Sequence, residues 1–330
     1  MQMRRLGTHG PIVSAIGLGT MGMSEVYGHA DRAEAIATIH AAVEAGINLI
    51  DTGDFYASGA NEMLVGEALR GRRDKALLSV KFGGMRDPKG NFSGYDARPA
   101  AVKNFLAYSL RRLGVDHIDI YRPARLDPNV PIEDTVGAIA DMIKAGYVRY
   151  IGLSEIGVVT LERAAKIHPI SDLQIEYSLL ARNIEHAILP ACRKLGVSIT
   201  AYGVLTRGLL SGRWSLEQAK ASGDSRQHHP RFAGENLARN LALIEALRAV
   251  AANHAMSPSQ AAIAWVLSRG DDIVPVLGCR TRAQLTEALA TFDFDLGDDH
   301  FARIEAAVPK GAAAGERYPA AAMATLDSER

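Results

Sequence analysis

The chain has 330 residues, 48% hydrophobic and 22% charged, which is enough apolar material for a sizeable core. Its 37 Lys and Arg balance 37 Asp and Glu, so the composition argues against nucleic acid or an anionic membrane surface as partner. Cys192 and Cys279 make no disulfide framework, "MQMRRLGTHGP" has no apolar run behind its arginines, and no window reaches the roughly 18 apolar residues of a membrane span; a cytoplasmic protein is expected.

The first segment reads as a hairpin, with "MRRLG" and "IVSAIGLG" flanking the breaker "THGP". Asp31 with Glu34 reads as a helix start, and that helix runs to about Ala45. Strand "INLID", helix 61–70 and strand "ALLSVK" follow, then a helix opened by Pro99. The alternation continues with strand "HIDIY", helix 132–145, strand "VRYIGLS", helix 158–167, strand "LQIEYS", helix 185–195 and strand "VSITAYG". An irregular stretch, 203–235, interrupts it before helices 236–253 and 258–269, strand "IVPVLG" and a helix from Thr281. Eight interior strands separated by helices imply a parallel (β/α)8 TIM barrel. A single domain, 1–330, is expected. The hairpin and first strand (1–18) would plug its base, with a long loop after the seventh strand, extra C-terminal helices, and an Ala- and Gly-rich tail, 309–330, mobile at its end.

"GLGTMG", 17–22, matches G-x-G-x-x-G, but the loop "MSEVYGHAD" follows it instead of a helix. A dinucleotide fingerprint runs directly from strand to helix. A glycine-rich strand end that admits something to the backbone is the better reading.

Barrel chemistry sits at the C-terminal strand ends. The second strand ends in Asp51 followed by "TGDFY", with Asp54 and Tyr56; the third ends in Lys81. A phenol is a poor acid at neutral pH, but an adjacent ammonium favours the phenolate, and a carboxylate holds that ammonium charged. Asp51, Tyr56 and Lys81 therefore form a candidate proton-donating set. The adjacent His228 and His229 lack metal-ligand spacing; they are expected to be solvated, and no metal is implied.

With these residues in place, the chain resembles the aldo-keto reductase superfamily over nearly its whole length. The matching stretches include "IGLGTMG", "IDTGDFY", "VKFG", "SLRRLGVDHIDIY", "AGYVRYIGLSE", "LQIEYSLLAR", "AYGVLTRGLLSG" and "GCRTRAQLTEA". The "GLSE", "QIEYSLL" and "RGLLSG" stretches look like the bacterial and fungal group of pyridoxal reductase-like enzymes and potassium-channel β-subunits.

The resemblance implies an NADP(H) cofactor and hydride transfer to a small carbonyl substrate. Tyr56 matches the proton donor, Lys81 its partner, and Asp51 the residue that pairs with the lysine. Ser154 and Gln174 match nicotinamide carboxamide ligands, and Tyr202 the aromatic that stacks on the ring. Glu155 stands where asparagine is frequent. Gly19, Thr20 and Met21 fall at the cofactor edge. Leu205, Arg207, Gly208, Ser211 and Arg213 match the pyrophosphate loop. Gly278, Arg280, Gln284 and Glu287 match the adenosine end, where Arg280 could fork onto a 2′-phosphate.

One position departs from the family. A pattern close to Y-Q-x-H-R-x-D puts histidine at the end of the fourth strand. This chain reads Tyr121-Arg122-Pro123-Ala124-Arg125-Leu126-Asp127. Alanine donates nothing, and losing a donor to a developing oxyanion costs on the order of 10²–10³ in rate elsewhere. Arg122 shares a face with Ala124 and could act on Tyr56, or pair structurally with a carboxylate such as Glu176. An apolar pocket lined by Met23, Tyr27, Phe55, Tyr56, Phe82 and Met85, with Arg122 and Ala124 at its edge, would admit bulky or activated ketones. The alternative is an NADP(H)-binding regulatory protein with weak catalysis; a Schiff-base use of Lys81 leaves the cofactor residues unexplained. Oligomeric state is not legible.

Overall fold

The computed structural model describes residues 1–24, 26–214 and 224–330. Strands β1 (Met3–Arg5) and β2 (Ile12–Ser14) form the expected antiparallel hairpin. Eight parallel strands then close a barrel in chain order: β3 (Gly17–Gly19), β4 (Leu49–Gly53), β5 (Leu77–Phe82), β8 (Ile118–Pro123), β9 (Val148–Ser154), β10 (Ile170–Glu176), β11 (Ser198–Tyr202) and β12 (Ile273–Leu277). Around them lie α1 (Arg32–Glu44), α2 (Ala60–Ala68), α3 (Pro99–Leu113), α4 (Ile132–Lys144), α5 (Val158–Ala165), α6 (Ile188–Leu195), α7 (Gly234–Ala252), α8 (Pro258–Leu267), α9 (Arg282–Leu289) and α10 (Asp298–Ala307). The Asp31 carboxylate accepts from the Glu34 N–H at 2.7 Å and starts α1 where the sequence places it. The "GLGTMG" stretch is a barrel strand and a short 3₁₀ turn, with no helix until residue 32.

Alternation along the strands sorts the interior into layers. The base is apolar, with Leu49, Leu77, Ile120, Tyr150, Val274 and Val276 packed on Leu6 and Val13 from the hairpin segment. Gly7, at φ +65°, lets that plug sit tight, because a Cβ there would lie 2.4 Å from the Ser171 carbonyl. Above the base comes a polar layer of Ser79, Arg122, Asp172 and Thr200. Asp51, Lys81 and Gln174 form the next layer, at the strand ends.

Two connections gain detail and one expectation, the mobile tail, fails. The loop "GGMRDPKGNFSGYD" folds into a hairpin, β6 (Gly84–Arg86) with β7 (Phe92–Tyr95). The stretch 203–235 holds short 3₁₀ turns on either side of residues 215–223, which lie outside the described residues, as does residue 25. The tail is docked rather than mobile: Arg317 is 4% and Leu326 1% exposed, and Asp327 accepts from the Gly157 N–H at 2.8 Å. A short helix, α11 (Ala320–Met323), lies within it. Among the described residues no helix is long and apolar enough to cross a membrane.

Candidate active site

Asp51 anchors the site. Its Oδ1 pairs with Lys81 Nζ, and its Oδ2 accepts from Ser79 Oγ and Gln174 Nε2, both at 2.8 Å. Tyr56 follows β4 through a tight turn in which Ala57 (φ +45°) and Ser58 (φ +53°) both adopt the left-handed region. Such residues cost of order 1–3 kcal/mol each and persist where the surroundings fix them. The turn buries Tyr56 to 8% exposure, edge-on to Phe55, with Lys81 Nζ 5.2 Å from its ring centre.

Burial, then the Asp51 carboxylate, push the Tyr56 phenol well above its ordinary value near 10, while Arg125 opposes them. Lys81 does not bring it down on its own. Burial also lowers the Lys81 ammonium, against the pull of Asp51. Tyr56 therefore holds its proton at neutral pH, and the Lys81 ammonium beside its ring is the group placed to stabilise the phenolate left when the proton is given up.

At the ends of β9 to β11 the predicted ring-binding residues come together around a second charge cluster. Glu155, at φ +50°, accepts from Arg317 through both oxygens at 3.0 Å and from Ser328 Oγ at 2.6 Å. Burial alone would raise its carboxyl; Arg317 overrides that and holds it at about 2. Glu155 is therefore tied to the tail and is not a ready carboxamide ligand. The Tyr202 hydroxyl donates to Glu155 at 2.6 Å and accepts from Tyr318 at 2.8 Å. Tyr318 lies under Arg207, whose guanidinium is 4.5 Å from its ring centre. Ser154 receives a long contact from Arg125 at 3.4 Å.

The phosphate-end residues lie around β3, β12 and α9. Thr20 spans from Gly19 to the next strand, bonding the Asp51 carbonyl through N–H (3.0 Å) and hydroxyl (2.9 Å), and Met21 follows in the 3₁₀ turn. Arg280, just past Gly278, donates to the Tyr27 carbonyl at 3.0 Å and has no carboxylate within 4.0 Å among the described residues; Gln284 accepts from its backbone N–H at 2.8 Å. A guanidinium beside a helix start, without a counter-charge, suits a phosphate. Arg213 instead pairs with Glu287, which also accepts from Ser257 at 2.7 Å. Leu205, Gly208 and Ser211 form the adjoining turn, closed by Ser211 Oγ donating to the Gly208 carbonyl.

The structure revises the expected pocket. Arg122 is fully buried and donates to Asp172 (2.6 and 3.3 Å), Ser79 (3.0 Å) and Thr200 (3.2 Å). It is a structural group below the site, and its carboxylate is Asp172, not Glu176. Phe82 points the other way from Lys81, stacked on Tyr121 at 4.3 Å, because neighbouring strand residues face opposite sides. Met23 is buried in the core and Ala124 is buried at the strand end. Tyr27, Phe55 and Met85 remain partly exposed at the rim. His229 is not solvated: its ring lies 5.9 Å from that of Tyr318, and burial, then Arg207, lower it to about 4. Among the described residues no group of His, Cys, Asp or Glu is placed to hold a metal. The sequence reading missed Arg125, Tyr95, Arg317 and Tyr318. Only Arg125, two residues past a barrel strand, carried a positional signal.

With this geometry in view, similarity to known proteins is informative. The Aldo/keto reductase family model matches residues 15–309. A "Probable aldo-keto reductase 1" from Glycine max is 39% identical over 324 residues, covering 96% of this chain and 92% of that protein. A glycerol dehydrogenase structure from Gluconobacter oxydans superposes with TM-score 0.84 at 29% identity, covering 92% and 94% of the two chains. A holo-form aldo-keto reductase from Bacillus halodurans gives TM-score 0.78 at 27% identity over 96% and 98%.

Proposed function

Since the chain belongs to the aldo/keto reductase family and is an oxidoreductase of that type, we propose that it reduces an aldehyde or ketone with NADPH, Tyr56 giving the proton. The observation that carries this reading is the buried Lys81–Asp51 pair, with Lys81 Nζ 5.2 Å from the ring centre of a buried Tyr56. The family uses a nicotinamide cofactor, and the residues here fit one: Arg280 lacks a counter-charge at the adenosine end, and Gln174 and Ser154 stand at the ring end. Arg280 is also the reason to favour the phosphorylated form.

A bound reduced nicotinamide supplies the hydride to the carbonyl carbon. Tyr56 Oη holds the proton that the carbonyl oxygen must gain as it becomes an alcohol. Lys81 compensates the phenolate left behind, and Asp51 keeps that ammonium charged and aimed. Ser79, on the same strand as Lys81, and Gln174, on β10, fix Asp51 in turn, so the set is held from one further strand.

The test is cofactor oxidation with NADPH and with NADH against a panel of aldehydes and ketones, using Tyr56→Phe as control. A general acid contributes typically ~10²–10⁴-fold, so the variant should lose at least ~100-fold in kcat while still binding NADPH. A variant within a few fold of wild type removes Tyr56 from the reaction. Absence of turnover across the panel, with NADPH bound, favours a regulatory cofactor-binding protein.

A further inference from the structure

The arginines at the upper end of the barrel are not equivalent. Arg207, Arg231 and Arg317 lie 3.8, 3.3 and 3.4 Å from Glu176, and Arg317 also pairs with Glu155. Arg125 has no such partner. Among the described residues no carboxylate lies within 4.0 Å of its guanidinium. Its bonds, to the Ala124 carbonyl at 2.7 Å and Ser154 Oγ at 3.4 Å, both come from Nη1. A guanidinium has five N–H donors, so Nη2 and Nε carry three hydrogens with no protein acceptor among the described residues.

Its surroundings suit an anion. Burial works against its charge, and Tyr202, Tyr318, Glu155 and Tyr95 are the groups near enough to favour it. Three of these four are phenols; Tyr202 and Tyr318 already donate to Glu155 and Tyr202, which leaves the Tyr95 hydroxyl to donate to an oxyanion. The fourth, Glu155, is already engaged by Arg317. Arg125 is close enough to Tyr56 and Lys81 to act on the titration of both. It therefore stands at the ring end with Ser154, and Arg280 serves the opposite end. An arginine cannot shed its charge, and a partly buried cation with no carboxylate in direct contact gains from a ligand that supplies one.

Building on the carbonyl-reductase reading, we propose that the pocket takes aldehydes or ketones that carry a carboxylate. Arg125, one residue past the alanine that replaces the usual histidine, selects them by pairing with that carboxylate. Arg125 is a specificity residue and leaves the proton transfer to Tyr56.

The experiment compares 4-carboxybenzaldehyde with its methyl ester in NADPH oxidation. One charge-assisted pair is worth a decade or more of affinity, so wild type should favour the acid by at least about tenfold in kcat/KM, expressed in KM. Arg125→Gln should abolish that preference, and Arg125→Lys should restore part of it. Equal kcat/KM for acid and ester in wild type, or a preference that survives Arg125→Gln, overturns the proposal. Calorimetric titration of 4-(hydroxymethyl)benzoate, with and without NADPH, reads the site independently of turnover. Saturable binding lost in Arg125→Gln upholds it, and no binding to wild type sinks it. If neither aldehyde is reduced while other carbonyls of the panel are, this proposal falls and the reductase reading stands; if no carbonyl of the panel is reduced, the reductase reading fails and the titration still decides the anion site.

Discussion

Arg122 and Arg125 stand three residues apart, on either side of Ala124, and their surroundings differ in a way the sequence does not show. Arg122 lies in the closed polar layer, fully buried, with Asp172, Ser79 and Thr200 around it. Even the backbone makes room: a Cβ at Gly152 would sit 2.8 Å from its guanidinium carbon. Arg125 lies at the mouth with a carbonyl and a hydroxyl for company. One cation is neutralised by the fold, and the other is left for something that enters from outside. Charge that the protein compensates reads as architecture. Charge that it leaves open reads as recognition.

The sharpest way to break this contrast is to remove the compensation in the closed layer. Asp172→Asn leaves Arg122 buried without its carboxylate. Removing one partner of a buried pair costs about 3–5 kcal/mol. The variant should show that loss in denaturant midpoint, with the site above it disturbed only indirectly. A loss under ~1 kcal/mol means Ser79 and Thr200 suffice, and the distinction between the two arginines weakens.

Glu155 gives an intermediate effect. It joins the end of β9 to the tail through Arg317 and Ser328, and Arg317 keeps a second carboxylate in Glu176. Glu155→Gln should therefore cost less, about 1–3 kcal/mol, and should open the tail near Arg317 to limited proteolysis. The sign with pH follows from a depressed carboxyl. Its stabilisation is present above the unfolded value near 4.5 and is lost as pH falls through about 2. Tail cleavage that is unchanged at neutral pH in Glu155→Gln would place the anchor elsewhere, at Asp327 or Leu326.

The barrel and the Asp51–Tyr56–Lys81 set were legible in the sequence because each rests on local pattern. Apolar strands alternate with capped helices, and a strand's period of two aims Asp51 and Lys81 inward with Leu49 and Leu77 below them. The same period could have removed Phe82 from the pocket, since it neighbours Lys81 and must face outward. The partner of Arg122 was not legible: Asp172 and Glu176 both lie on the inward face of β10, and only the depth of each layer separates them. The mouth was least legible. Arg317 and Tyr318 come from a tail whose alanines and glycines carry no periodic signal, and the barrel residues they meet, Glu155 and Tyr202, lie 162 and 116 residues away.

The last effect has the opposite sign and concerns a buried acid without a cation, the counterpart of Arg125. Asp54 Oδ2 accepts from the Gly83 N–H at 3.1 Å, Oδ1 has no partner among the described residues, and no cation lies within 4.0 Å. Burial raises this carboxyl to about 7, against the pull of the Gly83 N–H. A carboxyl escapes an uncompensated charge by taking a proton, whereas an arginine has no such route. Because the folded value is raised, the contribution to stability is fully present below the unfolded value near 4 and disappears as pH rises through about 7. Asp54→Asn mimics the protonated form. It should match wild type near pH 4.5 and exceed it by on the order of 1–3 kcal/mol at pH 8, read as denaturant midpoints at the two pH values. Equal stability of the two proteins at both would mean that the carboxylate finds compensation at the mouth when charged, and Arg125 would then no longer stand alone.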